Sequence, residues 1–299
     1  MSLKPQHVLV VYKKSRYEIY LQDSEAGRVD SLLEREDKTT LRLLQAHRAN
    51  TEAINQLRHI LFSRGIHAEW FHQPSIAEVE RADLVISIGG DGTLLEAARK
   101  IKGDTPLLGI NSSPATSVGY LCSIHVGQLE EALDALEENT LPVHPLARIE
   151  IAINDEILAD NALNDVLFAH HVPAAVSRYE MRINNRSERH SSSGIWIATA
   201  AGSTAAIHSA GGEILPLSSD LLQFRVRELF RPPESGPFRL CSGFLDPGVS
   251  LELVSQMDQA SLFLDGYFNK HPIAYGDRIS FRLSPRPLVL LGQLRRPFE

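Results

Sequence analysis

The sequence predicts an α/β protein in two parts: a doubly wound α/β domain, then a β-rich, β-sandwich-like domain. Short apolar runs alternate with helical patterns as far as residue 140, and beyond it closely spaced strand patterns follow with almost no helix. A length of 299 residues also exceeds the usual size of one domain. The expected division is an α/β domain over 1–140, a β-rich domain over 141–275, and a C-terminal segment, 276–299, able to return to the first domain.

Taken in order, His7–Tyr12 is a short apolar run of the kind that forms a buried parallel strand. Lys13–Lys38 is too charged for core and reads as a long loop, with Glu34–Lys38 a solvated charge run. Thr39–Arg64 reads as a helix, because Leu41, Leu44, Ile54, Leu57 and Leu61 share a face and Gly65 suits its end. Ile66–Phe71 and Leu84–Ile88 are further strands. The second runs straight into Gly89-Gly90-Asp91-Gly92-Thr93, before a helix from Leu94 to about Ile101. Pro106–Ile110 makes a fourth strand and Gly127–Glu138 an amphipathic helix.

In the second part the strand candidates are Ala147–Ile153, Glu156–Ala159, Ala162–Ala169, Val176–Asn184, Ile195–Thr199, Gln223–Leu229, Leu251–Val254, Leu262–Asp265 and Arg278–Leu283. Asn154-Asp155 and Asn184-Asn185 suit hairpin turns, and only Ser203–Ala210 looks helical.

A formal charge of −7 argues against a nucleic-acid partner, since domains held by phosphate contacts are usually basic. Cys122 and Cys241 are the only cysteines and show neither metal-type nor redox-type spacing, which fits a reducing compartment. Met1-Ser2-Leu3-Lys4 carries no apolar signal region, and no run of about 18 apolar residues spans a membrane. A cytoplasmic protein with no membrane partner and no metal-ligating residues of its own is the expectation.

The strongest chemical signal is Gly89-Gly90-Asp91-Gly92-Thr93, between an apolar strand and a helix. Glycines let the backbone adopt φ > 0 and approach a ligand closely. A helix start offers free N–H groups and a positive dipole end to phosphate. Asp91 in such a turn can take a proton from an attacking hydroxyl or help hold Mg²⁺. A plain capping turn has the same letters, but this run is rare by chance at ordinary glycine usage. No Gly-Lys-Ser/Thr follows, so it is not a Walker A loop.

This turn resembles that of the NAD kinases and, more distantly, of the diacylglycerol, sphingosine and phosphofructokinases. Four further segments, in the family's order, favour the NAD kinase family. Gly109-Ile110-Asn111 with Val118-Gly119-Tyr120-Leu121 is similar to its Gly-x-Asn and Leu-Gly-Phe-Leu stretch. Asn161–Val166 is similar to its Asn-Glu/Asp motif. Ile197–Ala205 with Ala210-Gly211-Gly212 is similar to its glycine-threonine segment, and Leu264-Asp265-Gly266 to its late Asp-Gly turn.

The resemblance implies a phosphotransferase with an alcohol acceptor, phosphorylating the 2′-hydroxyl of the adenosine ribose of NAD to give NADP. Asp91 would be the catalytic base. Gly89, Gly90, Gly92 and Thr93 would hold the phosphates of ATP or polyphosphate with Mg²⁺. Asn111, Tyr120, Asn164, Asp165, Thr204, Ala205 and Ser209 would bind NAD, and a homodimer or higher homo-oligomer would close that site with a neighbouring copy.

The chain departs from the family at Ser112–Ser117, an insert before Tyr120. It also has Ser193-Gly194 in place of Asp-Gly, a form that resembles the mitochondrial-type NAD kinases, and Thr204-Ala205-Ala206 in place of Thr-Ala-Tyr. Loss of a carboxylate and an aromatic near the nicotinamide would weaken discrimination of NAD⁺ from NADH.

Two rival readings stand beside this one: another GGDGT kinase acting on a lipid or sugar alcohol, and a non-catalytic NADP(H)-binding protein. Weaker candidates are His170-His171, whose side chains face opposite ways in a strand, His208 one turn after Thr204, and Arg225, Arg227 and Arg231 as a phosphate patch.

Overall fold

Apolar strands of five or six residues, each leading toward a helix, build the first part of this computed structural model, which describes residues 4–22, 31, 35, 37–115, 118–233 and 236–294. Contacts divide the chain into one unit that runs to His144 and resumes at Val289, and a second unit, Pro145–Leu288.

The first unit contains β1 (His7–Tyr12), α1 (Arg16–Gln22), α2 (Lys38–Ser63), β2 (His67–Phe71), α3 (Ile76–Val79), β3 (Leu84–Gly89), α4 (Asp91–Lys100), β4 (Leu107–Asn111), β5 (Ile124–His125), α5 (Leu129–Glu137) and β6 (Val143–Leu146). Strand order is β2-β1-β3-β4, then Leu288–Leu291, then β6, with β5 also on β4. The β1–β2, β1–β3, β3–β4 and β4–β5 pairings are parallel.

Alternation along the strands splits their side chains between two faces. Val8, Val10, Ile86, Ile88, Leu108 and Ile110 form one core with Leu57 and Leu61 of α2 and Leu129 and Leu133 of α5. On the other face Leu94 of α4 fills the notch at Gly109, where a methyl group would come 2.6 Å from Leu94 Cδ1. Helix on both faces explains why these strands are apolar throughout.

Capping sets the helix bounds. Asp37 accepts from the N–H groups of Thr39 and Thr40 at the start of α2, and Gly65, at φ +68°, follows its end. The loop expected over Lys13–Lys38 is corrected in part, because Arg16–Gln22 is helical. Ser15 and Glu18 cap it reciprocally: Glu18 N–H donates to Ser15 Oγ at 3.1 Å and Ser15 N–H to Glu18 Oε2 at 2.7 Å. Much of the charge run Glu34–Lys38 lies outside the described residues.

The second unit holds β7 (Ile149–Ile153), β8 (Glu156–Ala162), β9 (Asp165–His170), β10 (Ser177–Ile183), β11 (Arg186–Ser192), β12 (Ile195–Ala198), α6 (Ala206–Ser209), β13 (Leu222–Val226), β14 (Ser242–Leu245), β15 (Leu251–Ser255), β16 (Ala260–Leu264), β17 (Lys270–Ile273) and β18 (Arg278–Leu283). They form two antiparallel sheets, β11-β10-β15-β18-β7-β8 and β14-β13-β12-β9-β16-β17. Ile151, Tyr179, Met181, Leu253 and Phe281 of one sheet share a core with Phe168, Ile197, Phe224 and Leu262 of the other. Phe168 meets Tyr179 edge-on at 5.5 Å between ring centroids. This is a β-sandwich.

Asn154 and Asp155, at φ 50° and 70°, turn β7 into β8 as a hairpin of primed type requires. The helix expected over Ser203–Ala210 is broken into a 3-10 turn, Ala201–Thr204, and α6, because Ala205 at ψ −141° interrupts it. Past β18 the chain crosses to the first sheet, where Leu290 and Leu291 pair in parallel with Leu107 and Leu108.

Candidate active site

In the first unit, β3 delivers its chain directly into a helix. Gly90 is the N-cap of α4, and Asp91-Gly92-Thr93 form its first turn rather than a loop before it. The expected helix start at Leu94 is therefore three residues late. None of Gly89, Gly90 and Gly92 takes a positive φ, so what they contribute is a missing side chain. The two outer glycines differ in what surrounds them. A methyl group at Gly89 would overlap Thr93 Oγ1 and press on Lys13 Cβ, whereas at Gly92 nothing lies within 4 Å of where it would stand. Gly89 packs; Gly92 leaves space. The N–H groups of Thr93 and Leu94 turn to the Gly90 carbonyl at 2.9 and 3.2 Å. Those of Asp91 and Gly92 have no acceptor inside the helix and are available to an anion.

The Asp91 carboxylate is held from the side. Tyr120 N–H donates to Oδ2 and Leu121 N–H to Oδ1, each at 2.9 Å. Cys122 also hydrogen-bonds to it; burial, then the Asp91 charge, push that thiol well above its usual range, so it stays protonated. A carboxylate has about four acceptor positions, so Asp91 keeps capacity for a substrate hydroxyl. Gly119, at φ +62°, lets this strap pass Asn111, whose amide nitrogen would lie 2.6 Å from a methyl group there. Asn111 is buried, and its Oδ1 accepts from Ser113 N–H at 3.0 Å, so it braces the strap from within. Tyr120 is half-buried. Thr116 and Ser117 of the insert lie outside the described residues.

In the second unit a different aspartate organises the chain. Asp265, at φ +51°, accepts from the N–H groups of Leu163, Asn164 and Asp165 at 2.9, 2.6 and 3.3 Å. Its own N–H donates to the Asp165 carbonyl at 2.9 Å. Thr199 works from the opposite side: its hydroxyl donates to the Leu163 carbonyl at 2.5 Å and accepts from Gly202 N–H at 3.2 Å. Gly202 lies so close to Asn164 that a methyl group would overlap the Asn164 carbonyl oxygen. The Asn164-Asp165 turn is thus clamped between two distant segments.

Asp165 is buried, and its carboxyl is pushed up to about 7, first by burial and then by the charge on Asp265. Near neutral pH it is divided between a neutral acid that donates and a carboxylate that only accepts. Asn164, Thr204 and Ala205 are half-buried, and Ser209 is exposed at the end of α6. Ser203 is buried, donating to the Ala200 carbonyl at 2.8 Å and accepting from Leu215 N–H at 2.9 Å.

Residues 8–141 match the family described as ATP-NAD kinase, N-terminal domain. A probable NADH kinase of Oryza sativa subsp. japonica is 33% identical over 256 residues, covering 78% of each chain. The chain belongs to the NAD kinase family. It is therefore a kinase that makes NADP from NAD. An Archaeoglobus fulgidus NAD kinase, solved in complex with ATP, shares the fold at TM-score 0.64 and 23% identity, over 95% of this chain and 92% of that one. Yeast NADH kinase, solved with NADH, does so at TM-score 0.68 and 17% identity, over 97% and 84%.

Within this family's frame the weaker candidates find local partners. His170 Nδ1 accepts from Val172 N–H at 2.9 Å, and His171 meets Lys270 at a strand end. His208 Nδ1 contacts the Gly212 carbonyl at 3.1 Å. Arg225 bonds to the Ala210 carbonyl, Arg227 lies over Trp196, and Arg231 reaches Cys241 Sγ.

Ser193 precedes β12, and its carbonyl accepts from Arg227 at 3.3 Å. Sequence reading missed Thr199 as a support, and quoted Asp265 without its role.

Proposed function

We propose that this kinase moves the terminal phosphoryl group of ATP to the 2′-hydroxyl of the adenosine ribose, with Asp91 as general base. The observation that carries this reading is the Asp91 carboxylate in the first turn of α4, beside the open space at Gly92. In the step, the hydroxyl gives its proton to Asp91, its oxygen bonds to phosphorus, and the bond to the departing ADP breaks. Gly90, Gly92 and Thr93 would line the phosphates, with Gly89 holding the turn's shape. The first-turn N–H groups supply fixed positive ends that need no reorganisation during transfer.

Mg²⁺ belongs to the proposal. An ion carried on the phosphates of ATP needs few protein ligands and no dedicated cage, so it would enter with the nucleotide and leave Asp91 to act as base. Bound there, it would neutralise charge on the transferred group. Asn164 and Asp165, clamped by Asp265 and Thr199, would hold the adenosine side of NAD, with Thr204, Ala205 and Ser209 along the same segment and Asn111 and Tyr120 near the acceptor.

NADH is a second acceptor in this reading. The rice relative is named a probable NADH kinase, and Ala206 offers no ring to stack on a cationic nicotinamide. The proposal extends to a cytoplasmic homo-oligomer, on the family resemblance alone; among the described residues no helix is long and apolar enough to cross a membrane. The test is turnover with Mg-ATP and either NAD⁺ or NADH, with polyphosphate as a parallel donor, reading NADP⁺ and NADPH. Turnover of a lipid or sugar alcohol instead would overturn the acceptor assignment.

A further inference from the structure

We propose that His7, His67 and Glu69 bind a divalent transition ion of the zinc type and clip the edge strand β2 to β1. The two strands pair in parallel with His7 opposite His67, so both rings leave the same face of the sheet. Glu69 stands two residues after His67 and returns to that face. The rings stack with centroids 5.1 Å apart, and His7 Nε2 lies 3.2 Å from Glu69 Oε1. One ligand atom from each of the three residues lies within 4.8 Å of the others.

Ligands around tetrahedral zinc at about 2.0–2.1 Å stand roughly 3.4 Å apart. Closing the cluster therefore takes side-chain swings on the order of 1 Å, with no backbone movement. The backbone at His7 is already pinned, because Asp83 Oδ2 accepts from the N–H groups of Gln6 and His7 at 3.1 and 3.0 Å. Arg81 approaches Glu69 through its other oxygen, Oε2, at 4.0 Å, and leaves Oε1 to the histidines. Two imidazoles and one carboxylate are a donor set suited to Zn²⁺, with water from the open side completing the shell.

The site lies at the start of β1 and β2, whereas the glycine turn follows the end of β3, so the ion serves the sheet and not phosphoryl transfer. Co²⁺ and Zn²⁺ titrations of the untagged, chelator-treated full chain test this, read by calorimetry and by the visible spectrum of Co²⁺. One ion per chain is expected, with a Co²⁺ spectrum of tetrahedral type and a higher Tm in Zn²⁺. His67→Ala and Glu69→Gln should each weaken binding at least tenfold, since loss of even an outer-shell partner typically costs about 10–100-fold, and abolish the Zn²⁺-dependent Tm rise. Both variants should keep the metal-free Tm and the Mg-ATP-dependent kinase rate. No binding by the wild-type chain overturns the site, as does binding of equal strength in the variants.

Discussion

Asp91 and Asp165 are aspartates in two halves of one enzyme, and their surroundings differ in kind. Asp91 stands at a helix N-terminus with a backbone N–H on each oxygen, an arrangement that suits a carboxylate. Asp165 is buried beside a second carboxylate, Asp265, and its carboxyl is pushed up to about 7. Asp265, not Asp165, receives the backbone N–H groups on that side. The contrast separates chemistry from grip: one aspartate is presented at a helix start by backbone donors, and the other is buried beside a second carboxylate that raises its pKa.

Removing the presented charge should have the largest effect. Asp91→Asn keeps the shape and one good acceptor for the strap but cannot take a proton. Its kcat should fall at least ~10²-fold, typical of a general base, while the melting curve stays close to wild type. A kcat near normal would remove Asp91 from the chemistry.

Next in size is the clamp. Asp265→Asn weakens three hydrogen bonds to the Asn164-Asp165 turn, each charge-assisted bond being worth about 1.5–3 kcal/mol. KM for NAD should rise roughly tenfold with KM for ATP nearly unchanged. The same change removes the charge that helps raise Asp165, so Asp165 should ionise at lower pH in the variant. Equal increases in both KM values would show that Asp265 supports the whole enzyme and not the NAD side alone.

A smaller effect is expected in stability against pH. The folded pKa of Asp165, about 7, lies above the ordinary aspartate value of about 3.9. The folded state thus binds the proton more tightly than the unfolded state. The stability this contributes is complete below about pH 4 and is lost as pH rises through about 7. Without ligands, Tm should fall by a few degrees across that window. Asp165→Asn should flatten the fall; a slope unchanged in that variant would assign it to other groups.

How much of this was legible in the sequence follows the range of the interactions. The glycine turn, β1, α2 and β18 were readable because a strand's apolar run, a helix's periodic face and a stop glycine are local. The start of α4 was misplaced because Asp91-Gly92-Thr93 has turn composition, while the Gly90 carbonyl accepts from the N–H groups of Thr93 and Leu94 and so closes the first helical turn over these residues. The cap of α1 was present as Ser15-Arg16-Tyr17-Glu18, but the charge around it hid the signal.

Three edge strands were missed for a physical reason. β11, Arg-Ser-Glu-Arg-His-Ser-Ser, and the short β14 and β17 have only one paired neighbour in their sheets and carry weak apolar alternation. Roles that depend on sheet register were out of reach. Asp265 meets Asn164 across 101 positions, and His7 meets His67 only once β1 and β2 are in register. No spacing in the chain announces either.

The division of labour itself is tested most directly by calorimetry on two variants, Gly92→Ala and Asn164→Ala, each titrated with ATP and with NAD⁺. Apart from its chain neighbours and the backbone of its own helix, a methyl group at Gly92 meets nothing within 4 Å, so the fold should be unaffected while the space for phosphate is reduced. Asn164→Ala removes side-chain hydrogen bonds on the other side, worth about 1–3 kcal/mol in a partly buried site. The predicted result is crossed: Gly92→Ala weakens ATP about tenfold or more with NAD⁺ unchanged, and Asn164→Ala does the reverse. If both variants weaken both ligands alike, the two halves do not divide the substrates and the account is wrong.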